Sequence, residues 1–147
     1  MSFTEYDIED YLEAFPGIID PKFIMNDFIV YRQFIIGKNR IDLIIENKYL
    51  KDLSIIEIKK VALKKKHFEQ ILEYYKCIRN DYPEYNISGY IIGLRNHVEL
   101  NIHLKSYKWL FIKYLNEDIP LKIKICIGCK KPIDYNLYEC KYCFKRI

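Results

Sequence analysis

Apolar and polar positions repeat along this chain with two periods, one typical of helices and one typical of strands. Residues 4–14 carry apolar side chains at intervals of three and four, which predicts a first helix. Thr4 and Asp7 have the spacing of a capping box, and Pro16 follows the last apolar position. The chain therefore opens with a capped amphipathic helix.

Three segments then have the short-period or continuous apolar pattern of strands, namely residues 28–36, 40–46 and 53–59. Gly37 begins a tight turn between the first two, so they are expected to form an antiparallel hairpin. A second turn at residues 47–52 leads into the third strand. This part of the chain is predicted to be a three-stranded meander.

A long helix is predicted at residues 63–80, followed by a short apolar strand at residues 87–93. A strand, a helix and a strand in this order form a right-handed parallel crossover. Residues 96–106 are ambiguous, with a helix as one interpretation, and residues 107–114 are predicted to form a closing strand. The fold class is therefore α/β, with a mixed central sheet flanked by helices.

Length, charge and hydropathy restrict the class of protein. The chain has 147 residues, 50% of them hydrophobic, which is enough for one folded domain with a small appendage. It contains no apolar run near the roughly 20 residues that span a bilayer, and its first residues do not resemble a signal peptide. We expect a cytoplasmic protein without membrane contact. The net charge of +4 permits nucleic-acid binding without requiring it.

Three charged residues interrupt the apolar strands: Asp42, Glu57 and Lys59. Burying such side chains costs several kcal/mol unless they are paired or bound to metal, so they mark a candidate site. Glu57 and Lys59 point to the same face of a strand, and Asp42 can join them from the neighbouring strand. The simpler alternative is a salt bridge between Asp42 and Lys59, with Glu57 on a solvated face.

Taken in order, Glu5, Asp42, the segment 57–59 and the pair Gln70 and Tyr74 resemble the PD-(D/E)XK nuclease superfamily. The resemblance is greatest to the catalytic domain of NucS/EndoMS endonucleases. Further matching segments are residues 5–9, 15–19, 31–33, 41–44, 55–60, 70–74 and 89–93. The match covers residues 1 to 115 and implies a restriction-endonuclease-like core.

This sequence departs from the family in two ways. Its relatives carry a separate N-terminal domain for DNA binding and dimerisation, for which this sequence has no counterpart, and a cysteine module stands at its C-terminal end. The resemblance thus bears on the reaction more than on the substrate. DNA, single-stranded or branched, is the expected partner, and a homodimer remains open.

The resemblance implies a divalent-metal site for phosphodiester hydrolysis. Asp42, Glu57 and the backbone carbonyl of Ile58 are the expected ligands of Mg²⁺ or Mn²⁺, since these ions prefer oxygen ligands. The metal would activate a water molecule and stabilise charge on the phosphate. Lys59 would orient the attacking water or neutralise that charge.

Residues outside the strands complete the expected site. By resemblance Glu5 is the helical carboxylate that reaches the metal, although Glu9 competes for this role. Gln70 and Tyr74 are four residues apart, so they share a helical face. By resemblance they orient the metal ligands or hold the phosphate. Arg32 is expected to contact a backbone phosphate.

A lysine cluster lies close to these residues in sequence. Lys60 and Lys64 are expected to bind nucleic acid together with their neighbours Lys65 and Lys66. The alternative is an ordinary solvated N-terminus of the second helix, unfavourably placed for the helix dipole.

Cys126, Cys129, Cys140 and Cys143 form two CxxC pairs separated by ten residues. Four thiolates in so short a segment predict a structural, closed Zn²⁺ site, since the segment cannot build a core alone. The expected ribbon comprises residues 125–147, after a linker at 116–124, with a hairpin at 130–139 that turns at Pro132 to Asn136. Two disulfides and a rubredoxin-like iron site are the alternatives. Basic and aromatic residues in the ribbon suit nucleic acid, but ribbons also bind proteins.

Three functional hypotheses follow. The first is a metal-dependent DNA endonuclease whose α/β core cleaves and whose zinc ribbon assists binding. The second is a non-catalytic adaptor that keeps the nuclease fold, and the third is a redox or interaction module built on the four cysteines. Retention of Asp42, Glu57, Lys59 and Gln70 favours the first over the second.

Overall fold

The computed structural model describes residues 4–24, 27–96, 106–121, 123–126, 128–134 and 143. Its centre is a five-stranded mixed sheet with the strand order β1-β2-β3-β4-β5. The strands are β1 Ile29–Ile36, β2 Asn39–Asn47, β3 Asp52–Ala62, β4 Asn86–Leu94 and β5 Leu110–Tyr114. The first three are antiparallel, whereas β4 is parallel to both β3 and β5. The predicted α/β class is confirmed.

Two α-helices flank the sheet: α1 Glu5–Ala14 and α2 Lys65–Asp81. The predicted capping box of α1 is present, because the Thr4 N–H donates to Asp7 Oδ2 at 2.9 Å and the Asp7 N–H donates to Thr4 Oγ1 at 3.1 Å. The sequence β3, α2, β4 forms the predicted parallel crossover. Neither described helix is long and apolar enough to cross a membrane.

Some element boundaries differ from the predictions. Strand β3 continues to Ala62, three residues beyond its predicted end, and α2 begins at Lys65 instead of residue 63. The Leu63 N–H donates to the Leu94 carbonyl at 2.9 Å, so backbone pairing with β4 replaces the expected first helical turn. Strand β5 begins at Leu110 instead of residue 107. The ambiguous segment falls mostly on residues 97–105, which lie outside the described residues.

The core has two halves, one on each face of the sheet. Side chains alternate along β2 and β3, so Ile56 and Ile58 face the α1 side, while Ile44 and Ile55 face the α2 side. Asp42 and Glu57 follow the parity of Ile44 and Ile55. The sheet therefore directs both carboxylates toward α2.

The segment after β5 continues to contribute to the core. Leu115 and Ile119 form an isolated bridge, and Ile119 is fully buried, although it lies in the predicted linker. Strands β6 Ile123–Ile125 and β7 Pro132–Asp134 then form a small antiparallel hairpin beside α1. Pro132 and Asp134 thus lie in a strand, and the prediction that they form a turn is wrong.

Candidate active site

Asp42, Glu57 and Lys59 come together where β2 and β3 diverge. The pairing of these strands ends at Leu43 and Ile56, which leaves the next N–H groups of β3 without a ladder partner on that side. Asp42 Oδ2 accepts one of them, the Ile58 N–H, at 2.8 Å. Lys59 Nζ lies 3.7 Å from Glu57 Oε1. The two carboxylates and the ammonium group therefore form one cluster.

Glu57 is the most strongly perturbed group of this cluster. Its side chain is 2% exposed, and Oε2 has no hydrogen-bond partner among the described residues. Burial, and then the neighbouring Asp42, raise the pKa of Glu57 to about 10, against a smaller opposite effect of Lys59. Buried polar atoms rarely lack a partner, so an orphaned carboxylate oxygen beside a second carboxylate fits a site for a hard divalent cation.

Helix α2 adds Gln70 and Tyr74 to the cluster. Tyr74 is 4% exposed, and its hydroxyl donates to the Arg40 carbonyl at 3.0 Å. Burial and the nearby charges of Glu57 and Asp42 raise the pKa of Tyr74, while Gln70 has the opposite effect through a hydrogen bond. Gln70 and Tyr74, four residues apart on α2, thus lie together near Glu57, and their role toward a metal stays a prediction.

An open cleft of about 520 Å³ lies between β3 and α2, lined by Lys59, Lys66, His67, Glu69 and Gln70. The sequence pattern predicts no role for two of these residues, Glu69 and the buried His67. His67 is 6% exposed, and its Nδ1 accepts the Lys64 N–H at 3.0 Å, which caps α2. Burial and the surrounding lysines lower the pKa of His67. The signal in the sequence is its position three residues after Lys64, a spacing at which a side chain can accept the N–H of the N-cap residue.

The two competing carboxylates of α1 have different environments. Glu5 Oε1 accepts the Lys60 N–H at 2.9 Å, next to Lys59 on β3. Glu9 is 4% exposed, and its Oε1 accepts hydrogen bonds from Arg32 Nε at 3.0 Å and Gln33 Nε2 at 2.8 Å. Burial raises the pKa of Glu9, and the charge of Asp42 adds to that effect. Both carboxylates therefore border the site: Glu5 contacts β3, and Glu9 contacts β1.

Arg32 is surrounded by acidic residues of α1. Its guanidinium pairs with Glu9 and Asp10, lies 3.3 Å from Glu13 Oε2, and covers the Tyr6 ring at 4.5 Å. These contacts attach β1 to α1 beside the site. Phosphate contact by Arg32 stays a prediction.

The predicted nucleic-acid ligands Lys60 and Lys64 lie at opposite sides of the β3–α2 connection. Lys60 is half-buried on β3, and Lys64 is exposed at the N-cap of α2. Of the lysines in this segment, Lys59 and Lys66 line the cleft, and nucleic-acid contact by Lys60 and Lys64 stays a prediction.

Two solved structures have a similar fold. A structure described as an EndoMS complex with double-stranded DNA gives a TM-score of 0.61 at 14% identity. A repair endonuclease from Pyrococcus abyssi gives a TM-score of 0.53 at 16% identity. The chain has the fold of these endonucleases.

The similarity extends over part of each protein. In both cases it covers 78% of this chain and 46% of the other, so the chain spans less than half the length of either structure. No protein-family profile matches the sequence, and no curated protein matches it significantly.

Three cysteines form a separate cluster near the C-terminal end. The Sγ atoms of Cys126, Cys129 and Cys143 lie within 4.8 Å of one another, and the Sγ atoms of Cys126 and Cys143 are 3.6 Å apart. Thiolates at about 2.3 Å from one zinc ion would be about 3.8 Å apart in a tetrahedral site. No disulfide links the described cysteines. Cys140 lies outside the described residues, and the three sulfurs fit a metal site.

Proposed function

We propose that this protein is a metal-dependent DNA endonuclease that hydrolyses phosphodiester bonds. The observation that supports this most directly is the buried Glu57 Oε2, which lacks a hydrogen-bond partner among the described residues and lies beside Asp42. Such a pair is costly to bury unless a cation occupies the site. The endonuclease-like fold is consistent with the same reaction.

Asp42, Glu57 and the Ile58 carbonyl would hold Mg²⁺ or Mn²⁺. The bound cation would activate water and stabilise negative charge on the phosphate. Asp42 also accepts the Ile58 N–H, so the same contact fixes the backbone that carries the third ligand. This double role of Asp42 would account for an aspartate on β2, next to the strand that carries Glu57.

The other residues would keep these ligands ionised and oriented. Lys59, close to Glu57, would favour its charged form and then neutralise charge developing on the phosphate. Tyr74 and Gln70 would restrict Glu57 from the α2 side. Glu5 would hold the β3 backbone at Lys60 and, through water, a metal.

Substrate contacts would come mainly from lysines. Lys60 and Lys64, on either side of the β3–α2 connection, would bind backbone phosphates, together with Lys66, which lines the cleft. Arg32 would have to release its α1 carboxylates to do the same, so we assign it first to holding Glu9 in place. The DNA is proposed to be single-stranded or branched, and a homodimer would supply two sites for two strands.

The cysteine module would be a structural zinc ribbon with Cys126, Cys129, Cys140 and Cys143 as ligands. Four thiolates close the coordination sphere, so this metal would stabilise the fold and take no part in hydrolysis. Basic and aromatic residues around it would assist nucleic-acid binding. As a nuclease acting on cellular DNA, the protein would work in the cytoplasm.

The test is cleavage of single-stranded, duplex, flapped and mismatched DNA in Mg²⁺ or Mn²⁺. Asp42→Ala and Glu57→Ala should lose cleavage by several orders of magnitude, whereas Glu73→Ala, an exposed α2 carboxylate, should retain it. Absence of cleavage on every substrate, with DNA binding equal in all variants, would instead favour the adaptor.

A further inference from the structure

A second groove lies further along α2, toward the C-terminal end of the helix. Two adjoining clefts of about 450 and 380 Å³ share Tyr75, Arg79 and Pro83. The second also reaches Lys108 and Trp109, at the start of β5. We call the two clefts together the α2–β5 groove. A further cleft extends it past Trp109 toward Lys22 and Asp52.

A stacked aromatic pair lines the α2–β5 groove. The rings of Tyr75 and Trp109 are parallel within 7°, with centroids 3.9 Å apart, and Tyr107 meets Trp109 edge-on at 6.1 Å. Gly89 makes this arrangement possible, since a Cβ there would lie 2.7 Å from Trp109 Cζ3. The stack covers one face of each ring, and the packing of β4 and β5 holds the pair in place.

Three cations, Lys76, Arg79 and Lys108, line the groove and are exposed. Among the described residues that line the two clefts there is no carboxylate, and in that part of the chain none of the three cations forms an ion pair. Arg79 Nη1 is 3.2 Å from the Tyr75 hydroxyl oxygen, to which it donates. The groove is thus positively charged and aromatic.

Its polar lining is suited to bases as well as to phosphates. Asn80 lines one cleft and Asn86 the other, and each amide offers both a donor and an acceptor. An acidic peptide would use the cations but would gain little from paired parallel rings. Bases in a duplex are covered by their neighbours, whereas the bases of a single strand present free faces for stacking.

We propose that the α2–β5 groove is a binding surface for single-stranded nucleic acid, with unpaired bases stacking on the aromatic pair and phosphates meeting Arg79 and Lys108. It is distinct from the catalytic cluster, because Arg79 lies nine residues beyond Gln70 on α2, about 13 Å along the helix axis. This inference does not depend on catalysis by Asp42 and Glu57.

The chain provides its own probe, because Trp109 is its single tryptophan. A short oligothymidylate should quench Trp109 emission saturably in metal-free buffer. Asp42→Ala should bind and quench like the unaltered protein, so failure of the nuclease proposal and failure of this one give different results. Cleavage without any quenching would overturn the groove alone.

Variants that remove positive charge test which residues contact the phosphates of the bound strand. Arg79→Ala with Lys108→Ala should weaken binding by about ten-fold or more and reduce the slope of log affinity against log salt by about 1.4. Lys38→Ala with Arg40→Ala removes the same charge from exposed positions of the β1–β2 hairpin and should leave quenching unchanged. Equal weakening by both pairs would show delocalised attraction and overturn the proposal.

Two further comparisons address the ligand class. Polyglutamate, or a duplex of the same sequence, should quench Trp109 far less than the single strand; equal quenching by either would overturn the assignment. Trp109→Phe, followed by anisotropy of a labelled oligonucleotide, should weaken binding while circular dichroism stays unchanged. If a double variant with Trp109→Phe and Tyr75→Ala bound the oligonucleotide with full affinity, base stacking on this pair would be excluded.

Discussion

At the scale of single residues, Glu57 couples the proposed chemistry to stability. Its pKa, raised to about 10 by burial and Asp42, means that the metal-free protein holds a proton on this carboxyl at neutral pH. A raised pKa contributes stability that is fully present below the unfolded value near 4.5 and is lost as pH rises toward 10. A divalent cation would replace the proton.

Glu57→Gln should therefore stabilise the metal-free protein at pH 8 by about 1–3 kcal/mol, because the amide cannot ionise. At pH 5 the two proteins should differ much less. Urea unfolding in chelator at both pH values measures this. A stability difference that does not change with pH would show that Glu57 does not titrate as described.

Added Mg²⁺ should reverse the order. It should stabilise the unaltered protein according to its affinity for the folded state, while Glu57→Gln should gain little. Thermal unfolding midpoints across a magnesium series report the difference. Equal gains in the two proteins would place the metal elsewhere.

Arg32 is a second residue whose charge affects stability, because it neutralises the buried carboxylate of Glu9. Arg32→Met should cost about 2–4 kcal/mol, because Glu9 would stay buried without its cation. Adding Glu9→Gln should recover part of this lost stability. A double-mutant cycle based on urea unfolding measures the recovery. Glu13→Gln removes a carboxylate that is 39% exposed and should cost well under 1 kcal/mol. Strict additivity of the Arg32 and Glu9 changes would contradict the pairing.

At the scale of elements, the end of β3 determines where Lys59 and Lys60 lie. The pairing of β3 with β4 is irregular between Ile58 and Ala62, and Gly93 on β4 allows the return of the chain. A Cβ on Gly93 would lie 2.3 Å from Leu63 Cδ2 and 3.2 Å from the Val61 carbonyl oxygen. Close packing of backbone at this point thus supports the end of β3, next to Lys59 and Lys60.

Gly93→Ala should lower stability by about 1–3 kcal/mol through overpacking at the buried Leu63. Gly17→Ala is a matched control, since its Cβ would meet Ile24, whose side chain is 72% exposed and can move. Differential scanning calorimetry of both variants compares the two sites. A larger loss at Gly17 would mean that Leu63 can adjust.

The cysteine cluster is the corresponding feature of the small hairpin. The protein should contain one zinc per chain, and removal of the metal should expose thiols and destabilise β6 and β7. Cys126→Ser should lose the zinc, whereas Cys77→Ser, on α2, should retain it. Metal analysis with thiol titration measures both. Zinc retained by Cys126→Ser would contradict the ligand assignment.

At the scale of the whole molecule, helical periodicity and short apolar runs are sufficient to predict the α/β order, because the helices bury one face and the central strand β3 is buried on both. Thr4 and Asp7 predict their own capping box from spacing alone. Asp42 and Glu57 are conspicuous in sequence because charge interrupts two apolar strands. These signals are local.

Other features depend on tertiary contacts that no local pattern encodes. The acidic partners of Arg32 come from a helix more than twenty residues away. The extension of β3 to Ala62 depends on pairing with the β4 backbone. The burial of His67 depends on the packing of α2 against β3. Trp109 reaches Tyr75 only because Gly89 lies beneath it. The sequence therefore indicates the cluster of Asp42, Glu57 and Lys59 better than its surroundings.

The bridge between Leu115 and Ile119 bears on how such a chain can be recombined. Because Ile119 is fully buried and Leu121 packs on the same core, a splice at residue 115 would leave a hole under α1. A splice after residue 121 would keep the core closed. Descendants of this gene in which one cysteine hairpin replaces another should therefore have their junction after residue 121. A junction there leaves the packing of the buried core unchanged.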